Sequence, residues 1–230
     1  GASFQALFQN PLATPDTLGV AAGASFGAVL ALLFNDSLLW IQTMAVAAGL
    51  LAMLLTYSIS KMRNKSTIIM MVLAGIVVAA MFEAFISLVK YLADPEDKLP
   101  AITYWLMGSL QNVTYKSLLI GAPMIIVGIV TVFALRWKLN ILSLSEEEAH
   151  SMGVNVKRLR LINIIAATVV TASVISMCGQ VGWVGLLIPH ISRMMFGSNN
   201  RFVVPASISL GAVFMLVIDT AARSATAAEI

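Results

Sequence analysis

Long apolar runs with few charges recur along this chain, at about 18–34, 38–60, 67–92, 117–135, 161–178, 184–196 and 203–223. A helix needs about 20 mostly apolar residues to cross a bilayer, and backbone facing lipid must satisfy its own hydrogen bonds, so runs of this kind are helices. They predict an all-α, polytopic transmembrane helical bundle of seven spans, preceded by the tail of one more that ends near Gln9. Hydrophobic residues make up 59% of the chain and charged residues 11%, against about 25% charged in a soluble domain. Lipid is therefore the solvent that suits the sequence. The single cysteine, Cys178, excludes an intrachain disulfide and a cysteine-built metal site. Gly1 opens the chain without a charged leader and Ile230 closes it without a polar tail, which reads as a piece of a longer protein.

The connecting segments alternate in charge. Positive loops stay in the cytoplasm, which places 61–65, 136–160 and 193–201 inside, and 35–37, 91–104 and 179–182 outside. Ten of the 14 basic residues then lie on the inner side: Lys61, Arg63, Lys65, Arg136, Lys138, Lys157, Arg158, Arg160, Arg193 and Arg201. The net charge of +3 reflects this topology, and nucleic acid is not an expected partner.

Several segments carry more than hydrophobicity. Gly19, Gly23 and Gly27 recur every fourth residue, a pattern that lets a neighbouring backbone approach one helical face. Just before them, Pro11 and Pro15 break the helix twice. The longest polar interruption, 136–160, contains a stretch from Leu144 to Gly153 that reads as a short helix. Ser145 can cap it, Glu147 and Glu148 fall in the first turn, and Gly153 stops it. Leu144, Ala149 and Met152 would give it an apolar edge, so it is either a solvated loop helix or a docking surface. Glu83 lies about 24 Å along its helix, in the outer half of the membrane. It either lines a water-filled path or is hydrogen-bonded between helices. Asp219 and Arg223 stand four residues apart, as an ion pair would. His190 follows Pro189 inside a span and is expected to satisfy backbone groups that the proline frees; no metal or haem ligation is expected of it. No GxxxxGK[ST] loop occurs, so the chain itself is not expected to hydrolyse ATP.

Taken in order, these segments resemble the FecCD-type permeases, the membrane subunits of type II ABC importers for iron-siderophore, haem or cobalamin. The resemblance rests on Phe4-Gln5, Asn10 to Ala13 and Pro15, then Gly19 and Gly23; on Tyr104 to Ser109; and on Leu142 to Leu144 with Glu147, Ala149 and Gly153. It continues through Gly182 to Leu186, Ile188-Pro189-His190, Arg193, Pro205, Gly211-Ala212, Asp219, Arg223 and Glu229. It implies a single permease domain over 1–230 that begins late in a second span and ends before a tenth, with a cytoplasmic coupling region at 139–158. Leu144, Ser145, Glu146, Glu147, Ala149, Met152 and Gly153 are implied to meet an ATPase subunit, and Arg223 to face a binding protein. The short helix around Trp105, with Ser109 and the span bearing Glu83, is implied to wall the translocation path. Implied partners are a second permease subunit, identical or similar, two cytoplasmic ATPase subunits holding ATP and Mg, and an extracytoplasmic substrate-binding protein, in a bacterial or archaeal cytoplasmic membrane. Two departures stand out: Ser145 where the family often has glycine, and Glu83 where a small or hydroxyl residue is usual. A rival reading is a secondary transporter or channel that uses Glu83 and Asp219.

Overall fold

The structure is a computed structural model, and it describes residues 1–61, 68–111, 113–143 and 146–227. Its helices follow in the order α1 (Ala2–Leu7), α2 (Val20–Phe34), α3 (Leu38–Lys61), α4 (Ile68–Leu92), α5 (Lys98–Leu106), α6 (Tyr115–Leu135), α7 (Glu146–Ser151), α8 (Val156–Cys178), α9 (Val184–Phe196) and α10 (Asn200–Ala227). A 3-10 helix at Lys138–Ser143 stands between α6 and α7. No strand occurs among the described residues.

Five helices, α3, α4, α6, α8 and α10, are long and apolar enough to cross a membrane, where seven spans were expected. The shortest of the five, α6, has 21 residues and so reaches about 31 Å, matching a hydrocarbon core of about 30 Å. α2 and α9 have only 15 and 13 residues, and each is preceded by irregular backbone. Before α2 that backbone is inside the protein: Ala13 and Leu18 are fully buried and Thr14 nearly so. Non-helical backbone at membrane depth is tolerated only where protein or a cavity encloses it. Thr14 N donates to Thr17 Oγ1 at 2.9 Å, Thr17 N returns a bond to Thr14 Oγ1 at 3.1 Å, and Thr56 Oγ1 donates to Leu18 O at 3.0 Å. The two irregular stretches meet through Gln180, whose Oε1 accepts from Ser25 Oγ at 3.4 Å and whose side chain hydrogen-bonds Asp16.

Helix starts follow caps more closely than hydropathy. α6 starts two residues before the predicted 117, because Thr114 and Ser117 form a reciprocal capping box. α8 starts at Val156 and not at 161, since Asn155 Oδ1 accepts from Arg158 N at 3.0 Å. Lys157, Arg158 and Arg160 therefore belong to the first turns of a span, where long basic side chains reach the interface.

α2 sits at the centre and packs on α3, α4, α5 and α8. Its Ala21, Ala24, Ala28 and Ala31 are buried with Ile41, Ala45, Ala172 and Ile175, so the helices meet through small residues. The glycine pattern divides. A Cβ on Gly27 would overlap the Met44 carbonyl, and one on Gly23 would lie 2.5 Å from Ala52 Cβ, so both admit α3. Gly19 leaves that seam: it caps α2 at φ +75 and faces α4, where a Cβ would lie 3.1 Å from Val78 Cγ1.

Candidate functional site

On the predicted cytoplasmic side, the 3-10 helix is anchored by Leu139 and Leu142, which are buried with Ala2, Leu7, Leu159, Val203 and Val204. Gln9 Nε2 donates to the carbonyl of Leu142, tying the end of α1 to the same segment. Leu144, Ser145 and the side chains of Glu146 and Glu147 lie outside the described residues, and with them the proposed Ser145 cap. α7 ends as expected at Gly153, which takes φ +73, while Val154 N donates to Ala149 O at 3.2 Å. This is the bond of a glycine-terminated helix, in which the left-handed residue turns the chain back over the last turn. The expected apolar edge is split. Ala149 is fully buried against the body, and Met152, just past the helix end, is 60% exposed.

In α4 the buried face carries Ala74, Val78, Phe82, Ile86 and Val89. Glu83 lies off that face and is exposed, with Ser87, Tyr91 and Asp94 exposed beyond it at three- and four-residue steps. Among the described residues no side chain pairs with the Glu83 carboxyl; Ser87 Oγ donates to the Glu83 backbone carbonyl at 3.0 Å. Trp105 is half-buried against the alanine-rich core around α2 and against the cluster of Val29, Val89 and Ile102. Ser109 N donates to Cys178 O at 2.8 Å and Ser109 Oγ accepts from Gln111 N at 3.1 Å. A Cβ on Gly108 would lie 2.5 Å from Gln180 O. Trp105 and Ser109 thus brace the end of α5 against the break between α8 and α9.

Arg223 Nε meets Asp219 Oδ2 at 2.8 Å, with the arginine side chain about half exposed. The ion pair that the spacing predicted is formed. His190 differs from expectation: its side chain is exposed and takes up none of the backbone groups near Pro189 among the described residues. Ser192 is the residue that bonds back to α9, donating to Ile188 O at 2.8 Å. Arg193, assigned to an inner loop by its charge, falls in the last turn of α9. It donates to Gln5 Oε1 through Nη2 at 2.9 Å and Nε at 3.3 Å. Both residues stood in the motifs, but no spacing rule joins positions 188 apart.

Comparison with known proteins covers the whole chain. A family model described as the FecCD transport family matches residues 1–230. The molybdate import system permease protein MolB of Haemophilus influenzae is 37% identical over all of this chain and 68% of its own length. The cobalamin import system permease protein BtuC of Halobacterium salinarum is 35% identical over all of this chain and 62% of its own. Among solved structures, an inward-facing metal-chelate type ABC transporter superposes with a TM-score of 0.88 at 36% identity, over 99% of this chain and 73% of that one.

Proposed function

Since the chain belongs to the FecCD transport family, as a multi-pass ABC transporter permease of the cytoplasmic membrane, we propose that it imports a metal chelate, haem or a corrinoid and does not import a small oxyanion. The observation that carries this reading is Glu83, an acid on the exposed face of a spanning helix, in line with Ser87 and Tyr91. An acid facing hydrocarbon is costly, so that face of α4 borders a water-filled path against a second permease subunit. A molybdate-like dianion would meet a like charge there. A bulky chelate with donor groups would find a partner. The relatives themselves support either cargo, one being a molybdate and another a cobalamin permease.

In this scheme the substrate reaches the path from an extracytoplasmic binding protein, and Arg223 is offered to an acid on that protein. The Asp219 pair occupies the arginine meanwhile, and its half-exposed position suits exchange of one carboxylate for another. On the inner side Leu144 to Gly153 docks an ATPase subunit, where ATP and Mg are held, and Met152 is the exposed apolar group in it. Trp105 and Ser109 stiffen the wall of the path on the outer side.

The test is substrate-stimulated ATP hydrolysis by the full-length subunit, co-purified with its ATPase and binding protein and placed in liposomes. Ferric chelates, haemin or cobalamin are expected to stimulate, and molybdate is not. Stimulation by molybdate alone would overturn the cargo assignment; hydrolysis indifferent to every one of these would overturn the import reading.

A further inference from the structure

The segment leading to α7 is tied to the start of α10 by three carboxamides. Asn140 Nδ2 donates to Asn199 Oδ1 at 2.8 Å. Asn140 Oδ1 accepts from Asn200 N at 2.9 Å and from Asn200 Nδ2 at 3.0 Å. Asn199 Oδ1 also accepts from Arg201 N at 2.9 Å, so the bond from Asn140 lands on the group that caps α10. Below the amides, Leu139 and Leu142 are buried with Val203 and Val204. Beside them, the Arg201 guanidinium lies 4.0 Å from the centre of the Trp137 ring. Polar and apolar contacts together make the 3-10 helix and the first turn of α10 one piece.

What that piece could move is limited by packing. α10 lies along α9, and this pair meets the rest of the described bundle chiefly through α1, α6 and the 3-10 helix. One acceptor in the clamp is also unused among the described residues: Asn200 is 7% exposed, and its buried Oδ1 meets no donor there. A buried acceptor left unpaired is destabilising, which brings a second arrangement of the clamp closer in free energy. Switching elements are built from packed pieces with two such arrangements.

Resting on the docking of Leu144 to Gly153 argued above, we infer that Asn140 is a positioning residue for coupling, making the docking segment and the α9–α10 pair move as one body. A displacement of α7 by the ATPase then reaches the membrane helices and is not absorbed within 136–160.

The experiment reads substrate carried per ATP hydrolysed, in the full-length permease with its ATPase and binding protein in liposomes. Asn140→Ala removes the three carboxamide bonds described above and is expected to lower that ratio about tenfold, within the range of ordinary coupling energies. Asn140→Asp keeps both bonds accepted from Asn200 and is expected to recover most of the loss. An unaltered ratio in Asn140→Ala would overturn the inference, and so would equal losses in the two variants, which would mark a general packing defect. Failure of the unmutated permease to hold its ATPase would instead remove the docking reading itself, so the two failures are told apart.

Discussion

Gly27 and Gly182 are both glycines with ordinary backbone angles, yet only the first is hemmed in. Gly27→Ala would drive a methyl into the Met44 carbonyl and is expected to cost about 1–3 kcal/mol, read as a lower melting temperature in detergent. Gly182→Ala has nothing within 4 Å of its new Cβ and should melt like the unmutated chain. At Arg223 a charge pair separates two roles. Arg223→Glu should weaken capture of the binding protein, while Asp219→Asn, which removes the carboxylate charge of the ion pair and keeps the arginine, should leave capture intact. Equal loss of capture in both, measured by binding to immobilised permease, would return Arg223 to a structural ion pair. Residues joined by local geometry were legible in the sequence: Asp219 and Arg223 lie one helical turn apart, and the i, i+4 rule places them together. Gln5 with Arg193 and Asn140 with Asn199 were not, because only the assembled bundle brings such distant positions together.

At the scale of elements, the apolar runs located every spanning helix and misjudged several ends. Hydropathy reports what lipid accepts, whereas a helix start is set by a side chain that takes up orphan N–H groups. Thr114→Ala should make that distinction measurable: it deletes the side-chain acceptor of the capping box on α6 and is expected to cost about 1 kcal/mol in stability. α9 covers the same 184–196 that the apolar run marked, while α2 begins at Val20, two residues later than expected. Buried non-helical backbone carries the same apolar side chains as a helix, so Leu18 was counted with the span, though the turn that holds it is fixed by Thr14, Thr17 and Thr56. If α7 docks the ATPase as proposed, Glu147→Lys with Met152→Asp should release the ATPase on co-purification. Retained association would remove Leu144 to Gly153 from that role. The edge expected there was partly wrong in composition, since Ala149 belongs to the core and only Met152, of the two apolar side chains described, is on the surface.

Over the whole molecule, fold class and family were legible because they rest on order: polar breaks, glycines and prolines arrive in one sequence along the entire chain, and a family model covers the same 1–230. The cargo was less legible, since the choice between oxyanion and chelate turns on a single acid, Glu83, and on surfaces completed by other subunits. Coupling to an ATPase requires the segment from Lys138 to Gly153 to face the cytosol. Thiol labelling of right-side-out membrane vesicles tests this most directly, because the one native cysteine, Cys178, is buried. Met152 and Tyr115 are 60% and 89% exposed and stand on opposite predicted sides. Tyr115→Cys should react at once with an impermeant reagent, and Met152→Cys only after the vesicles are opened. Immediate labelling of Met152→Cys from the outer side would contradict the account.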